Sequence, residues 1–288
     1  TVTYMKDYAT YVYAFFFFFF FFFFIYLINS KSNPNFKLTW ILLIMATPIV
    51  GAVFYVYVKT QPGTAYLQKR FAELDKSTRP YMLQDKDILE DVRVSKPANA
   101  NLVTYLNNSL SYPMYRNTTV DYFASGEEKF QALKEELLKA ESYIFMEYFI
   151  VEKGLMWNEI LDILKEKVWQ GVDVRFMYDG MCSIQLVPYH YDKELRRAGI
   201  KCKQFSPIRP ILSSYQNNRD HRKICVIDGK VAFTGGINLA DEYINQKERF
   251  GHWKDTAIML KGDAVQSFTM MFLQMWNLNE KRMEDYSR

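Results

Sequence analysis

The sequence predicts an N-terminal two-helix transmembrane hairpin followed by an α/β sandwich lobe. Three observations carry that reading. Two apolar runs near the N-terminus are separated by a short polar turn. From about Asn99 onward, helical and strand-like periodicities alternate. Late in that alternation, two short stretches rich in β-branched and aromatic residues meet at Asp228-Gly229, a hairpin turn signal.

The chain of 288 residues has room for one or two domains. Its hydrophobic content of 49% and aromatic content of 17% are high, and the excess lies near the N-terminus. A net charge of +4 permits an anionic membrane surface but lacks the dense basic face expected of a nucleic-acid binder. Cys182, Cys202 and Cys225 are scattered, which argues against a disulfide framework or a zinc site and fits a reducing cytosol. His190, His221 and His252 are too few for a histidine-rich metal centre.

From Tyr11 to Ile28 the chain is apolar for about one bilayer crossing. Ten consecutive phenylalanines, Phe15–Phe24, are an implausible run for a natural protein, and the expectation of a span rests on the apolarity of the stretch rather than on these side chains. The polar turn Asn29–Asn35 contains Pro34, which stops the helix. A second apolar run, Leu38 to Val58, is expected to cross again, kinked at Pro48 and Gly51, with Trp40, Tyr55 and Tyr57 near its ends. A cleaved signal peptide is the alternative for the first run; the second run close behind favours an anchor. The turn carries Lys31 and Lys37, whereas Lys59, Lys69, Arg70, Lys76 and Arg79 follow the second run. That asymmetry places the lobe in the cytoplasm of a multi-pass protein. The expected division is 1–60 for the hairpin (spans 11–28 and 38–58), 61–98 for a juxtamembrane linker and 99–288 for the lobe. Within the linker, Leu67, Phe71 and Leu74 suit either a helix on the membrane surface or a plain connecting helix.

In the lobe, Glu127–Ala140 reads as a helix with Phe130, Leu133, Leu137 and Leu138 as its buried stripe. Ser142–Val151 is a central strand, Trp157–Gln170 a helix ended by Gly171, and Val172–Tyr178 a strand leading into Asp179. A short helix stops at Gly199, and Ile200–Phe205 is a further strand. The hairpin strands are Lys223–Ile227 and Lys230–Thr234. A short helix at Leu239–Asn245, a strand at Lys254–Leu260 and an apolar helix at Ala264–Leu278 close the lobe. Glu147 lies inside an otherwise apolar strand, so it is either paired to a cation or placed at the cleft end of the sheet.

Residues two apart on a strand share a face, so His221 and Lys223 point the same way. Gly235-Gly236 then allows close backbone approach to a ligand, and Asn238 adds an amide. An acid/base or nucleophile, a cation and neutral donors suit a phosphate diester. The spacing His-x-Lys-x4-Asp-x6-Gly-Gly-x-Asn, met here at His221, Lys223, Asp228, Gly235, Gly236 and Asn238, resembles the signature of the phospholipase D superfamily. Together with Glu147-Tyr148-Phe149-Ile150, the strand ending at Asp179, Asp241-Glu242-Tyr243 and Gly251–Thr256, it makes nearly the whole chain look like a bacterial cardiolipin synthase. The likeness is weakest between Thr60 and Asn99.

The resemblance implies a lobe of the phospholipase D type and transfer of a phosphatidyl group between two phosphatidylglycerol molecules. Cardiolipin and glycerol would form through a phosphohistidine, without metal or cofactor and with activity that survives a chelator. The implied catalytic set is His221, Lys223, Asp228 and Asp255. The implied substrate-binding set is Asn238, Gly235, Gly236, Glu242 and Glu147. His221 is nucleophile or acid/base, Lys223 and Asn238 hold phosphoryl oxygens, and Asp255, or failing that Glu242, orients the imidazole. Asp228 reads better as a structural partner at the hairpin turn than as a proton carrier. That family carries two such motifs, and this chain has one: His252 and Lys254 fit the start, but Met259 stands where Asp is required. A second lobe is therefore expected downstream of Arg288, or from a second copy in a dimer. The expected partners are phosphatidylglycerol and that second lobe, not nucleic acid. A membrane-bound hydrolase of the same superfamily and a non-catalytic regulator are the rival readings.

Overall fold

A computed structural model describes residues 2–60, 62–181, 183–206, 219–278 and 280. Cys182 and Asn218 lie outside the described residues. The chain divides at Ala65–Tyr66 into two compact units.

The first unit holds α1 (Val2–Asn29), α2 (Pro34–Ala46) and α3 (Pro48–Thr60). Asn33 caps α2 by accepting from the Asn35 amide at 2.9 Å, and Pro34 occupies the first turn, where its missing N–H costs nothing. The expected second crossing, 38–58, does not run as one kinked helix. Trp40 lies 5.3 Å from Tyr55 and 5.4 Å from Phe54 between ring centroids. In a continuous helix residues that far apart in sequence would be separated by roughly 20 Å. The chain instead folds back at Thr47, which Pro48 keeps out of helical conformation (φ −139°, ψ 79°). Gly51 makes the return possible, since a Cβ there would sit 2.9 Å from the Ile44 Cα. Among the described residues one helical stretch, Tyr8–Asn29, is long and apolar enough to cross a membrane.

The return leg packs on α1. Phe23 meets Tyr55 edge-on at 5.4 Å, and Lys59 donates to Tyr26. Lys37 donates to the Ile28 carbonyl at 2.7 Å. The lysines of α2 and α3 thus gather at the C-terminal end of α1.

The second unit opens within α4 (Pro62–Thr78) and continues through α5 (Lys86–Ser95) and α6 (Pro97–Leu110) into β1 (Thr118–Phe123). Then follow α7 (Gly126–Leu138), β2 (Tyr143–Tyr148), α8 (Leu155–Trp169), β3 (Asp173–Asp179), α9 (Tyr191–Arg197) and β4 (Lys201–Phe205). After them come β5 (Ile224–Ile227), β6 (Val231–Gly235), a 3-10 turn at Asp241–Ile244, β7 (Ala257–Gly262) and α10 (Val265–Trp276). The seven strands form one mixed sheet in the order β1-β7-β6-β5-β2-β3-β4. β2, β3 and β4 run parallel, as α crossovers require, and the other pairings are antiparallel.

Alternation along the strands assigns the two faces. Ile144, Met146 and Tyr148 of β2, with Cys225 and Ile227 of β5, join the core under α7 and α8. Phe145 faces the other way and stacks on Phe272 of α10 at 4.8 Å. The sheet is therefore covered by helices on both sides, and its free edge of chemistry is an end rather than a face. That end collects the C-termini of β2 and β3, the start of β5, the exit of β6 and the entry to β7.

Candidate active site

His221 and Lys223 lie just before β5, at the C-terminal edge of the parallel strands where α/β sheets bind ligands. His221 is exposed while Lys223 is only 4% exposed. The lysine Nζ donates to the His221 carbonyl at 2.7 Å. Phe149, one residue past β2, serves both: its ring meets the imidazole edge-on at 4.6 Å and lies 5.2 Å from Lys223 Nζ. The sequence reading missed Phe149, although its place directly after a central strand marks the functional end of the sheet.

Asn238 is buried behind this pair. Its Oδ1 accepts from the Ile150 amide at 3.0 Å, and its Nδ2 donates to Tyr243 at 2.7 Å. The amide thereby ties the strand end carrying Phe149 to the loop after β6, with one amide hydrogen left over.

Gly235 and Gly236 leave room for protein neighbours. A Cβ on Gly235 would meet the Thr256 carbonyl at 2.4 Å, and one on Gly236 would meet Asp255 Oδ1 at 2.0 Å. The two glycines make room for the entry to β7 and let the Asp255 carboxylate lie against the backbone at this edge. Asp255 accepts from the Thr256 amide at 2.7 Å. Asn245, also missed, brackets the same segment: it accepts from the Trp253 amide at 2.7 Å and donates to the Trp253 carbonyl at 3.0 Å.

Asp228 is placed elsewhere. It sits at the opposite end of β5, about 20 Å of extended chain from His221. Its carboxylate accepts the amides of Glu141, Ser142 and Tyr143 at 2.8–2.9 Å. Burial would raise this carboxyl, but those three amides outweigh it and hold it below the usual carboxylate range. Asp228 staples the start of β2 to the hairpin turn, the structural role its position in the sequence favours.

Glu242 is buried and held by Arg249 Nη1 at 3.0 Å. No described side chain hydrogen-bonds the His221 imidazole. Glu147 is paired with a cation, as one of its two readings required: Arg222 Nη2 lies 2.9 Å away. Glu147 shares strand parity with Phe145, whose ring stacks on Phe272 of α10.

An exposed imidazole and a buried ammonium thus meet at the open end of a helix-covered α/β sheet. The family model described as "Cardiolipin synthase, PLD-like domain" matches residues 133–276, half of the chain, and the chain belongs to that family. It is 51% identical over 258 residues to an uncharacterized protein of Streptococcus mutans, covering 90% of this chain and 56% of that protein. To a cardiolipin synthase of Geobacillus kaustophilus it is 35% identical over 244 residues, covering 84% of this chain and 48% of the relative. A solved phospholipase D family member, Nuc from Salmonella typhimurium, is similar at 20% identity and a TM-score of 0.40, over 56% of this chain and 95% of that one. The chain spans about half the length of the curated relatives it matches.

Proposed function

We propose that this chain is the anchor and first lobe of a cardiolipin synthase. The observation that supports it is the His221–Lys223 pair around Phe149, in a member of the cardiolipin synthase family. One motif histidine attacks phosphorus of phosphatidylglycerol. The P–O bond to the glycerol headgroup breaks, and the glycerol oxygen takes a proton from the second motif histidine. A hydroxyl of another phosphatidylglycerol then gives its proton to that second histidine and attacks phosphorus. The P–N bond breaks, releasing cardiolipin and the free imidazole.

His221 takes one of these two roles, and the other histidine comes from a second lobe, downstream or in another copy. Lys223 and the free amide hydrogen of Asn238 would stabilise the phosphoryl oxygens, and Asp255 would orient the imidazole. The work is done by side-chain cations and proton carriers, so no metal or cofactor enters the scheme.

The helical unit fits the same reading. α1 would cross the bilayer. α2 and α3, each of 13 residues and so about 20 Å long, are too short to cross alone and would enter and return on its flank. Lys37 and Lys59 at the C-terminal end of α1 then mark the cytoplasmic side, where the lobe would meet its lipid substrates. Confinement to the substrate's own surface raises effective concentration.

Product analysis by mass spectrometry tests the proposal. The full-length native protein is incubated in phosphatidylglycerol vesicles beside His221→Ala. Cardiolipin plus glycerol, abolished in the variant, is the expected result. Phosphatidic acid without cardiolipin would establish a hydrolase instead, and no turnover by either protein would leave a regulator.

A further inference from the structure

His221 and Lys223 alternate with Asp220 and Arg222, which project to the opposite side of the same segment. That second pair is unusual in its company. Arg222 Nε and Nη2 reach the two oxygens of Asp220 at 3.0 and 3.3 Å. Arg222 Nη2 also lies 2.9 Å from Glu147 Oε1. The Glu147 and Asp220 carboxyl groups thus share the one Arg222 guanidinium. Glu147 is 2% exposed.

Two carboxylates and one guanidinium would leave a surplus negative charge in a buried place, which is costly. The Arg222 contact is an ion pair by distance but is not aligned as a hydrogen bond, so both Glu147 oxygens are buried without one. One proton removes both problems. A protonated Glu147 turns an orphaned acceptor into a donor aimed at Asp220, and the cluster becomes neutral overall.

We propose that Glu147 carries a proton at neutral pH and, with Asp220 and Arg222, forms a neutral buried clamp that positions His221. The residues on either side of His221 are gripped by it, and the segment 219–223 has no ladder hydrogen bonds of its own. The clamp is anchored on β2 through Glu147, two residues before Phe149. Both groups that fix the imidazole thus come from one strand end.

Burial and the hydrogen bond to Asp220 raise Glu147 well above the usual carboxylate range, despite the opposing pull of Arg222. Burial would raise Asp220 too, but its bonds from Glu147 and Arg222 keep it low. Tyr112, in the segment after α6, also faces the cluster, and burial raises its phenol.

The inference takes its activity readout from the proposed reaction, but its first test does not need turnover. Infrared difference spectra of the full chain at neutral pH should show a protonated carboxyl C=O stretch that is lost in Glu147→Gln. The same band should vanish in Asp220→Asn, where one guanidinium faces one carboxyl and Glu147 ionises although intact. The imidazole resonances of His221 should move in Glu147→Ala and return in Glu147→Gln. In turnover assays Glu147→Ala should lose on the order of 100-fold in kcat with little change in KM, the signature of a misplaced group. Glu147→Gln should recover most of it and lack the wild type's alkaline decline. Absence of a Glu147-dependent band, or its survival in Asp220→Asn, overturns the clamp. A band that behaves as expected in a protein without lipid turnover upholds the clamp and rejects the reaction instead.

Discussion

The Phe149 ring stands edge-on to the His221 imidazole, with 4.6 Å between centroids and 64° between planes. An aromatic edge carries partial positive charge and its face partial negative charge, so such pairs hold a preferred geometry beyond simple burial. The same ring lies beside the Lys223 ammonium, which removes water from that cation and strengthens its field.

Phe149→Ala should therefore lower kcat about 10-fold or more while leaving the global fold in place. Phe149→Tyr should retain most activity. Steady-state turnover in vesicles, with the His221 ring resonances as a second readout, checks this. Unchanged resonances in Phe149→Ala would deny the ring its positioning role.

Gly236→Ala drives a Cβ into the Asp255 carboxylate and must displace it. Turnover per folded molecule should fall by on the order of 10- to 100-fold. Gly251→Ala is the control: its backbone is left-handed (φ 90°), but no atom lies within 4 Å of the added carbon. It should cost about 1 kcal/mol of stability and spare the rate. Equal losses of activity in the two variants would show that Asp255 has no part in catalysis.

Asp228 sets an acid limit on stability. Its folded-state pKa is depressed, so its contribution is complete above the unfolded value near 4 and disappears as pH falls through the folded value. Asp228→Asn should lose about 2 kcal/mol at neutral pH, because three amides lose a charged acceptor. Its loss should shrink towards zero under strongly acid conditions. Chemical denaturation across that range is the measurement.

Lys129 acts in the opposite pH range. Burial pushes its ammonium down to about 8, and it donates to the Tyr148 hydroxyl at 3.1 Å. Below that value the lysine is charged in both states, and the folded state bears the full desolvation cost. Between about 8 and the unfolded value near 10.4, the unfolded chain binds more protons, so stability rises with pH. Lys129→Met should be more stable at pH 7 by on the order of 2–3 kcal/mol and should lack that alkaline rise. A melting series from pH 7 to 10.5 decides it.

Much of the sheet could be read from local pattern, and the exceptions have physical causes. The hairpin at Asp228-Gly229 appeared where β-branched alternation and a turn dipeptide agree. β1 was missed because its apolar residues Val120 and Tyr122 point outward, 56% and 65% exposed, so their alternation marks no buried face. The second apolar run was read as one helix because Pro48 and Gly51 permit a kink; only Trp40 packing on Tyr55 turns that kink into a reversal. The partner of Glu147 could not be named because Arg222 is distant in sequence and the pairing exists only once β2 and β5 lie side by side. Gly235 and Gly236 were legible as positions of close approach, but the neighbours that crowd them, Thr256 and Ala257 for the first and Asp255 for the second, come from β7 and its entry and are set by the β6–β7 pairing.

The pairing of β2 with β5 also constrains how the chain is made. Parallel strands β2, β3 and β4 are all made before β5, the strand that must lie against the other side of β2. Until it arrives, β2 presents an unpaired edge of apolar backbone with an acidic side chain that has no cation. Long-range closure of this kind is slow and leaves nascent chains prone to association. The nascent chain therefore has its greatest need of chaperone or membrane cover until β5 emerges, and the arrival of Arg222 and β5 together ends that exposure.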